Sequence, residues 1–327
     1  MEFDRPDLTF LNRSSDNLNY CPFVLGLSQS ELGLRKISED EIGSEVPIKD
    51  RHFLIDPATY ELYANSKRLM RELHPEEDYH SLLTESERYN VFLYFAKRLA
   101  AEYPENFSFK EDGSLQITNA VENGSLKVYL VGEKIREEFS ETSFEYRDCL
   151  DFISLNIQED FCLVHKDNLK AVLVHLASPN DWTAKWGINK DFDEIHVRVP
   201  RAFEIVKRPP QIFGRLFKSG FLYERFGAMT LTSFPYLLRH PSHKETPISS
   251  NNSHFYFRFE RQTLKAIPNT DFLLFTIRPY LMDFTERVQE EINLELVEQM
   301  SSGELENRYT WFFKDNREYF LNLFKSV

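Results

Sequence analysis

The pattern of apolar and polar positions predicts a β-hairpin near the middle of the chain. Two apolar runs rich in β-branched residues, 161–164 and 169–176, flank the polar tripeptide at 166–168. A strand, a tight polar turn and a returning strand produce this pattern. The turn-forming residues at 178–181 then lead the chain away from the sheet, towards Trp182 and a second tryptophan.

Alternation of residue types predicts further strands. In residues 254–264 every second residue is phenylalanine up to Phe259, and tyrosine, arginine and glutamate lie between them. A strand with this period has the phenylalanines on one face and a largely charged set on the other. Shorter strands are predicted at 115–118 and 126–131, and longer ones at 227–233 and 271–280. Together they indicate an antiparallel sheet.

Helical periodicity is clearest in residues 84–103. Thr84 and Glu87 form a capping box, in which each side chain bonds the other residue's backbone amide. An apolar stripe at three- and four-residue spacing follows from Phe92 to Leu99, and we interpret it as core packing. The helix is expected to end at Tyr103, which precedes a proline.

Other helical segments are predicted on both sides of the sheet. One covers residues 60–73, with Lys67 and Arg68 on its polar side. The charged stretch 132–150 is also predicted to be helical. Further helices are expected between Pro200 and Pro209, at 211–218, and twice within 281–327.

These elements predict an α+β fold organised in three regions. Residues 1–109 are expected to form a loop-rich and helical region that packs on the sheet. Residues 110–280 contain the antiparallel sheet, and residues 281–327 contain the C-terminal helices. In this arrangement the N- and C-terminal helices wrap the sheet.

Composition narrows the classes of partner. With 327 residues, 42% of them hydrophobic, the chain is long and apolar enough to form a packed core. The formal net charge of −13 disfavours nucleic acids and anionic membranes as partners. No run of about 18 apolar residues and no secretory signal is evident. The three cysteines are far apart, which suggests a reducing compartment, and we expect a cytoplasmic protein.

Several motifs occur in an order and at separations that are typical of one known family. They are QEDFCL at 158–163, W-x-x-K-x-G at 182–187, I-H-x-x-V-P at 195–200, R-F-E-R-Q-T-L at 258–264 and F-T-I-R-P-Y at 275–280. In these motifs the chain resembles the haem-dependent oxidative N-demethylase alpha-subunit-like family. Motifs of Rossmann dinucleotide sites and of P-loop nucleotide sites are absent from the sequence.

The resemblance implies a PAS-like antiparallel sheet that holds a b-type haem. The iron would activate dioxygen and remove a methyl group from a small secondary amine as formaldehyde. Electrons would come from NADPH through a separate reductase component that carries flavin and an iron–sulfur cluster. Two alternatives stay open: a non-catalytic PAS-like protein that binds haem or another small ligand and signals, and a family member that has lost the cofactor.

The resemblance also assigns candidate site residues. His196, in the I-H-x-x-V-P match, is the candidate axial ligand of the haem iron. The alternative is a buried histidine bound to a backbone group. Trp182 could stack on the porphyrin or belong to the core.

Arginines are the second set of candidates, because a guanidinium offers carboxylates a planar fork of donors. Arg225, Arg258, Arg261 and Arg278 could hold the haem propionates, with Arg225 and Glu260 as candidate catalytic residues. Glu260 could bind a substrate ammonium group. The alternative is a salt-bridged face of the sheet that includes Glu260.

Three further features have competing interpretations. The acidic tripeptide at 158–160 could dock a reductase, bind an amine, or simply cap the start of a strand. His240 and His243 could reach a metal together or lie in a solvated loop. Finally, Gly227 and Ala228 stand where the family has Asn and Trp, which suggests a different or larger pocket, or loss of the cofactor.

Overall fold

The computed structural model describes most of the chain between Leu34 and Asp283. The described residues are 34–38, 42–56, 59–111, 113, 115–117, 127–131, 134–138, 146–178, 182–197, 209–232, 237, 240 and 256–283. The predicted helix between Pro200 and Pro209 and the predicted helices beyond residue 283 lie outside these ranges.

Helices and strands alternate irregularly along this part of the chain. The helices are α1 (Tyr60–Leu73), α2 (Glu85–Glu102), α3 (Cys149–Asn156), α4 (Ala184–Gly187), α5 (Phe192–His196) and α6 (Pro209–Ser219), with a 3-10 turn at Ile48–Asp50. The strands are β1 (Arg35–Ser38), β2 (Tyr79–Ser81), β3 (Phe107–Phe109), β4 (Leu115–Ile117), β5 (Lys127–Val131), β6 (Lys134–Glu138), β7 (Asp160–His165), β8 (Ala171–His175), β9 (Leu222–Thr232), β10 (Tyr256–Ala266) and β11 (Phe272–Asp283). None of these helices has the length and apolarity of a membrane-spanning segment.

Seven strands form one antiparallel sheet in the order β1-β9-β10-β11-β7-β8-β2. The α+β prediction with an antiparallel sheet is therefore confirmed, as is the β7–β8 hairpin. Both edge strands, β1 and β2, come from the region 1–109. That region therefore contributes two strands of the sheet in addition to helices that pack on it.

The two faces of the sheet are covered by different helices. Phe161 and Leu163 of β7 point towards α2 and join the largest apolar cluster, which also contains Phe95. We call this side the α2 face. Cys162 lies on the opposite side, in a cluster with Ala184 of α4 and Ile195 of α5. We call that side the α5 face.

Helix α2 forms as the sequence predicts. The Thr84 hydroxyl accepts a hydrogen bond from the Glu87 amide at 3.4 Å, and the Glu87 carboxylate accepts one from the Thr84 amide at 2.7 Å. Phe92, Phe95 and Leu99 are fully buried. The capping box thus begins a helix whose apolar stripe is part of the core.

Helix α1 has the predicted bounds, but the polar side on which Lys67 lies does not face solvent at this residue. Lys67 is buried, and its ammonium group donates to the carbonyls of Ser154 at 2.8 Å and Glu159 at 2.6 Å. Its Nζ also lies 3.4 Å from Asp160 Oδ1. A polar residue on a helix is exposed to solvent only where no other element covers it. Here α3 and the start of β7 cover Lys67.

The predicted helix at 132–150 is also wrong for the part that the structure describes. Residues 134–138 form β6, which pairs antiparallel with β5 so that Leu130 lies opposite Ile135. Helix α3 begins only at Cys149, where Asp148 accepts hydrogen bonds from two backbone amides. Strand β6 is rich in charged residues and lacks a clear alternation of apolar and polar positions. Its charge alone therefore suggested a helix.

Candidate functional site

Strand β10 places three polar side chains on the α5 face of the sheet. Arg258, Glu260 and Gln262 occupy every second position, and only 0%, 5% and 6% of each residue is exposed. The predicted strand is confirmed, with Phe259 on the face opposite to these three side chains, and both faces are buried here. Buried charges are costly unless they are paired and hydrogen-bonded, so the partners of these groups define the site.

The three side chains and Arg225 of β9 form a continuous row, which we call the polar chain. Arg258 Nη1 donates to Glu260 Oε1 at 2.7 Å, and Gln262 Nε2 donates to Glu260 Oε2 at 2.7 Å. Arg225, directly opposite Gln262, donates from Nε to Gln262 Oε1 at 2.6 Å. Both carboxylate oxygens of Glu260 are therefore bound.

The polar chain unites three of the predicted site residues, Arg225, Arg258 and Glu260. It also contains Gln262, which the sequence analysis missed. The sequence did contain a signal for Gln262. It lies two residues after Glu260, and residues two apart in a strand have their side chains on the same face. Arg258 also donates to the carbonyl of Ser178 at 2.8 Å, so the far end of the polar chain is anchored outside the sheet.

Gly227 makes room for the polar chain. It lies opposite Glu260 on β9, where a shift in register inserts one extra residue into β9 between Gly227 and Thr230. A Cβ atom at Gly227 would lie 3.1 Å from Gln262 Oε1, tighter than an ordinary contact. The departure from the family's Asn at this position therefore falls at the centre of the site.

His196 is the last residue of α5, a short helix whose start is well defined. Asp191 and Glu194 form a capping box, with both side-chain-to-amide distances at 2.9 Å. The His196 ring stacks on Phe192 at a centroid distance of 3.8 Å, and its Nδ1 lies 2.7 Å from the Phe192 carbonyl oxygen. A carbonyl can only accept, so Nδ1 carries a proton, and in the neutral ring Nε2 therefore has the lone pair.

The surroundings of His196 keep its imidazole neutral. Burial lowers the pKa of His196 to about 4, although its hydrogen bond to Phe192 acts in the opposite direction. The positive charge of Arg225 lowers the pKa further. Ile195 packs in the apolar cluster of the α5 face, so His196 and the polar chain share one side of the sheet.

Arg261 and Arg278, also predicted as cofactor-binding candidates, lie on the α2 face instead. They are directly paired across β10 and β11. Arg261 forms an ion pair with Glu224 and donates to the carbonyl of Arg51 at 2.8 Å. The Arg278 guanidinium lies 4.0 Å from the ring centroid of Tyr63. The sheet therefore separates these two arginines from the polar chain.

The W-x-x-K-x-G motif has a packing explanation. A Cβ atom on Gly187 would come within 2.5 Å of the Trp182 ring, so glycine is what allows the tryptophan to lie over α4. Trp182 joins the apolar cluster of the α5 face that contains Ile195, and it meets Trp186 edge-on at 6.5 Å. Lys185 is exposed and lies 3.3 Å from Glu76.

The acidic tripeptide at 158–160 anchors backbone segments around the start of β7. All three side chains are buried. Their oxygens accept hydrogen bonds of 2.6, 2.7 and 2.7 Å from the amides of Asp56, Leu54 and Ser178, respectively. These contacts favour the interpretation of the tripeptide as a cap, because a buried side chain offers no surface for docking a reductase.

Comparison with known proteins adds one match. A family model described as haem-dependent oxidative N-demethylase, alpha subunit-like, matches residues 48–321, which is most of the chain. The matched range includes His196 and the whole polar chain. A search of curated proteins found no match.

Proposed function

The chain belongs to the haem-dependent oxidative N-demethylase alpha-subunit-like family, and from this we propose that it is a haem-dependent oxidoreductase that demethylates a small secondary amine. In such a reaction a secondary N-methylamine, one dioxygen, two electrons and two protons give the primary amine, formaldehyde and water. Bound haem iron would activate the dioxygen. The remaining steps of binding and orientation fall to the side chains of this chain.

One observation carries the proposal: a neutral His196 whose Nδ1–H is fixed by the Phe192 carbonyl. Histidines that ligate metals usually donate their other ring N–H to a backbone carbonyl or carboxylate, which orients the ring. A neutral ring is also required, because a protonated imidazole has no lone pair to give. A neutral imidazole of this kind fits haem iron, which His196 Nε2 would hold.

Arg225 is the proposed partner of a haem propionate. It is half-buried, interacts electrostatically with His196, and is tied through Nε to Gln262. A guanidinium offers a planar fork of donors that suits a carboxylate. Arg258, held by Glu260, would add positive charge on the same face. We propose Trp182 as part of the apolar wall beside the cofactor.

Glu260 is the proposed anchor for the substrate's ammonium group. Its two oxygens are held by Arg258 and Gln262, so its position is defined before substrate arrives. The electron donor would be a separate flavin and iron–sulfur reductase component, and the cytoplasmic location expected from the cysteines is part of the same proposal.

The first experiment is the visible absorption spectrum of the purified protein, oxidised and reduced, after expression with a haem precursor. We expect a Soret band that shifts on reduction, and its loss or displacement in His196→Ala but not in His165→Ala. Amine-dependent oxygen uptake with stoichiometric formaldehyde, measured with a working electron donor, then tests catalysis. A wild-type protein that binds no haem even when hemin is added contradicts the proposal.

A second candidate function, non-catalytic binding of haem or another small ligand, is favoured by the polar chain itself. Its hydrogen bonds already bind both oxygens of Glu260. Gly227 further departs from the family's pattern where the polar chain is built. Haem binding without oxygen uptake for any of a series of secondary methylamines would support this function over the enzyme.

A further inference from the structure

A cluster of two histidines and a glutamate lies outside the site described above. His74 follows α1, Glu77 lies in the turn before β2, and His240 comes from the segment after β9. One ligand atom from each residue can be chosen such that all three lie within 4.8 Å of one another. Within the described ranges this is the group of histidine, cysteine and acidic side chains that could hold a metal ion.

The three side chains of the cluster are tightly packed. The rings of His74 and His240 are stacked at a centroid distance of 3.5 Å with an angle of 7° between their planes. His240 Nε2 lies 3.1 Å from Glu77 Oε2, and the His240 residue is only 8% exposed. The two rings and the Glu77 carboxylate thus lie in direct contact with one another.

The backbone around the cluster is held by hydrogen bonds. The Glu77 amide donates to the His74 carbonyl at 2.9 Å, and the His74 amide donates to the Met70 carbonyl at 2.8 Å. The Glu77 carbonyl in turn accepts from the amide of Ala184 at 2.8 Å. Two of the three side chains are therefore presented from one fixed turn.

The location also favours a cation. His74 is the C-cap of the 14-residue helix α1, and the C-terminal end of a helix carries partial negative charge. The chain as a whole carries a formal net charge of −13. A positive ion at this turn would thus be stabilised by the helix, by Glu77 and by the overall charge.

We propose that His74, Glu77 and His240 bind a divalent transition-metal ion, with Zn²⁺ as the probe. Two imidazoles and one carboxylate are a donor set that suits zinc and its neighbours, and three protein ligands leave a coordination position open. Binding requires the two rings to turn out of their stack, because both lone pairs must converge on one ion. The ion would tie the segment after β9 to the turn that leads into the edge strand β2.

The test uses the full-length protein, treated with a chelator and desalted, titrated with Zn²⁺ against a competing chromophoric chelator. We expect one equivalent to bind, and His74→Ala, Glu77→Gln and His240→Ala each to weaken binding by about 100-fold or more, since loss of even an outer-shell partner costs 10–100-fold. His80→Ala is the matched control, because His80 Nε2 contacts the carbonyl of Glu76 outside the cluster. Its affinity should match that of the wild type.

Thermal unfolding supplies a second readout for variants that bind nothing. Zn²⁺ should raise the melting temperature of the wild type and of His80→Ala. The melting temperature of His240→Ala should not change with Zn²⁺, while its circular dichroism spectrum shows that the variant is folded. The proposal is overturned if folded wild type binds no Zn²⁺. It is also overturned if the His74→Ala/His240→Ala double variant binds Zn²⁺ as tightly as the wild type, which would indicate adventitious surface binding. Neither result depends on haem.

Discussion

Gly227 lies across the strand pair from Glu260, with no side chain between its Cα and the Gln262 carboxamide. A Cβ atom there would lie 3.1 Å from Gln262 Oε1, the atom that accepts the hydrogen bond from Arg225. An asparagine at this position, where the resemblance places one in the family, would require the Gln262 carboxamide to move by a few tenths of an ångström. The position of the Gln262 carboxamide therefore depends on the absence of a side chain at residue 227.

Gly227→Asn should displace the Gln262 side chain and break its contacts to Arg225 and Glu260. Each lost hydrogen bond to a charged group should cost about 1.5–3 kcal/mol in the free energy of unfolding, measured in urea. A Gly227→Asn/Gln262→Ala double variant should cost less than the sum of the two single changes, because the contacts are already lost. Additive single changes would show that Gly227 and Gln262 are independent.

Arg258→Met should destabilise the protein because it leaves the Glu260 carboxylate buried without its cation. We expect a loss of about 3–5 kcal/mol in urea unfolding, with most of it recovered in the Arg258→Met/Glu260→Leu double variant. Lys185→Met, which removes an exposed ion pair, is the control and should change stability by less than about 0.5 kcal/mol. An equally small effect of Arg258→Met would mean that the pair is solvated.

Stability should fall at mildly acidic pH partly because of His196. Its pKa is about 4 in the folded protein against about 6.5 when unfolded. Between these values the unfolded chain binds a proton that the folded chain does not, so stability is full above pH 6.5 and declines towards pH 4. The haem-free His196→Gln variant should show a shallower decline in urea unfolding.

His52 and His175 also have lowered pKa values because of burial, and they contribute to the same decline. The comparison must therefore be the difference between wild type and His196→Gln across the pH series. A difference that does not vary with pH would show that His196 titrates normally.

Asp191→Ala should loosen the helix that positions His196. Asp191 caps the first turn of α5, so its loss should cost about 1 kcal/mol. In haem-loaded protein we expect a broadened or shifted Soret band, while Asp191→Asn, which keeps an acceptor at the cap, should retain the wild-type spectrum. Equal spectra for all three proteins would mean that the cap does not position His196.

Local patterns predicted the elements that depend on local forces. The capping box of α2, the β7–β8 hairpin and the two faces of β10 all follow from residue spacing. Spacing also separates Arg258 from Arg261, since residues three apart in a strand lie on opposite faces. The two arginines predicted as propionate partners are therefore on opposite faces of β10.

What the sequence could not predict depends on which elements meet in space. Whether the charged face of β10 is buried depends on elements from elsewhere in the chain, such as α6, which packs on this strand. The burial of Lys67 depends on α3 and the start of β7. The contact of His74 with His240 joins two residues far apart in the chain that share no local motif. Long-range proximity of this kind leaves no periodic signal in one sequence.

The edge strand β1 of the main sheet can pair only after a strand far along the chain has been made. Strand β1 is among the first described residues, yet its partner β9 is made almost 190 residues later, since Arg35 pairs with Glu224. During synthesis the N-terminal segments must wait for the central strands before their backbone groups are paired. High contact order of this kind slows folding and leaves strand edges unpaired until the central strands have formed.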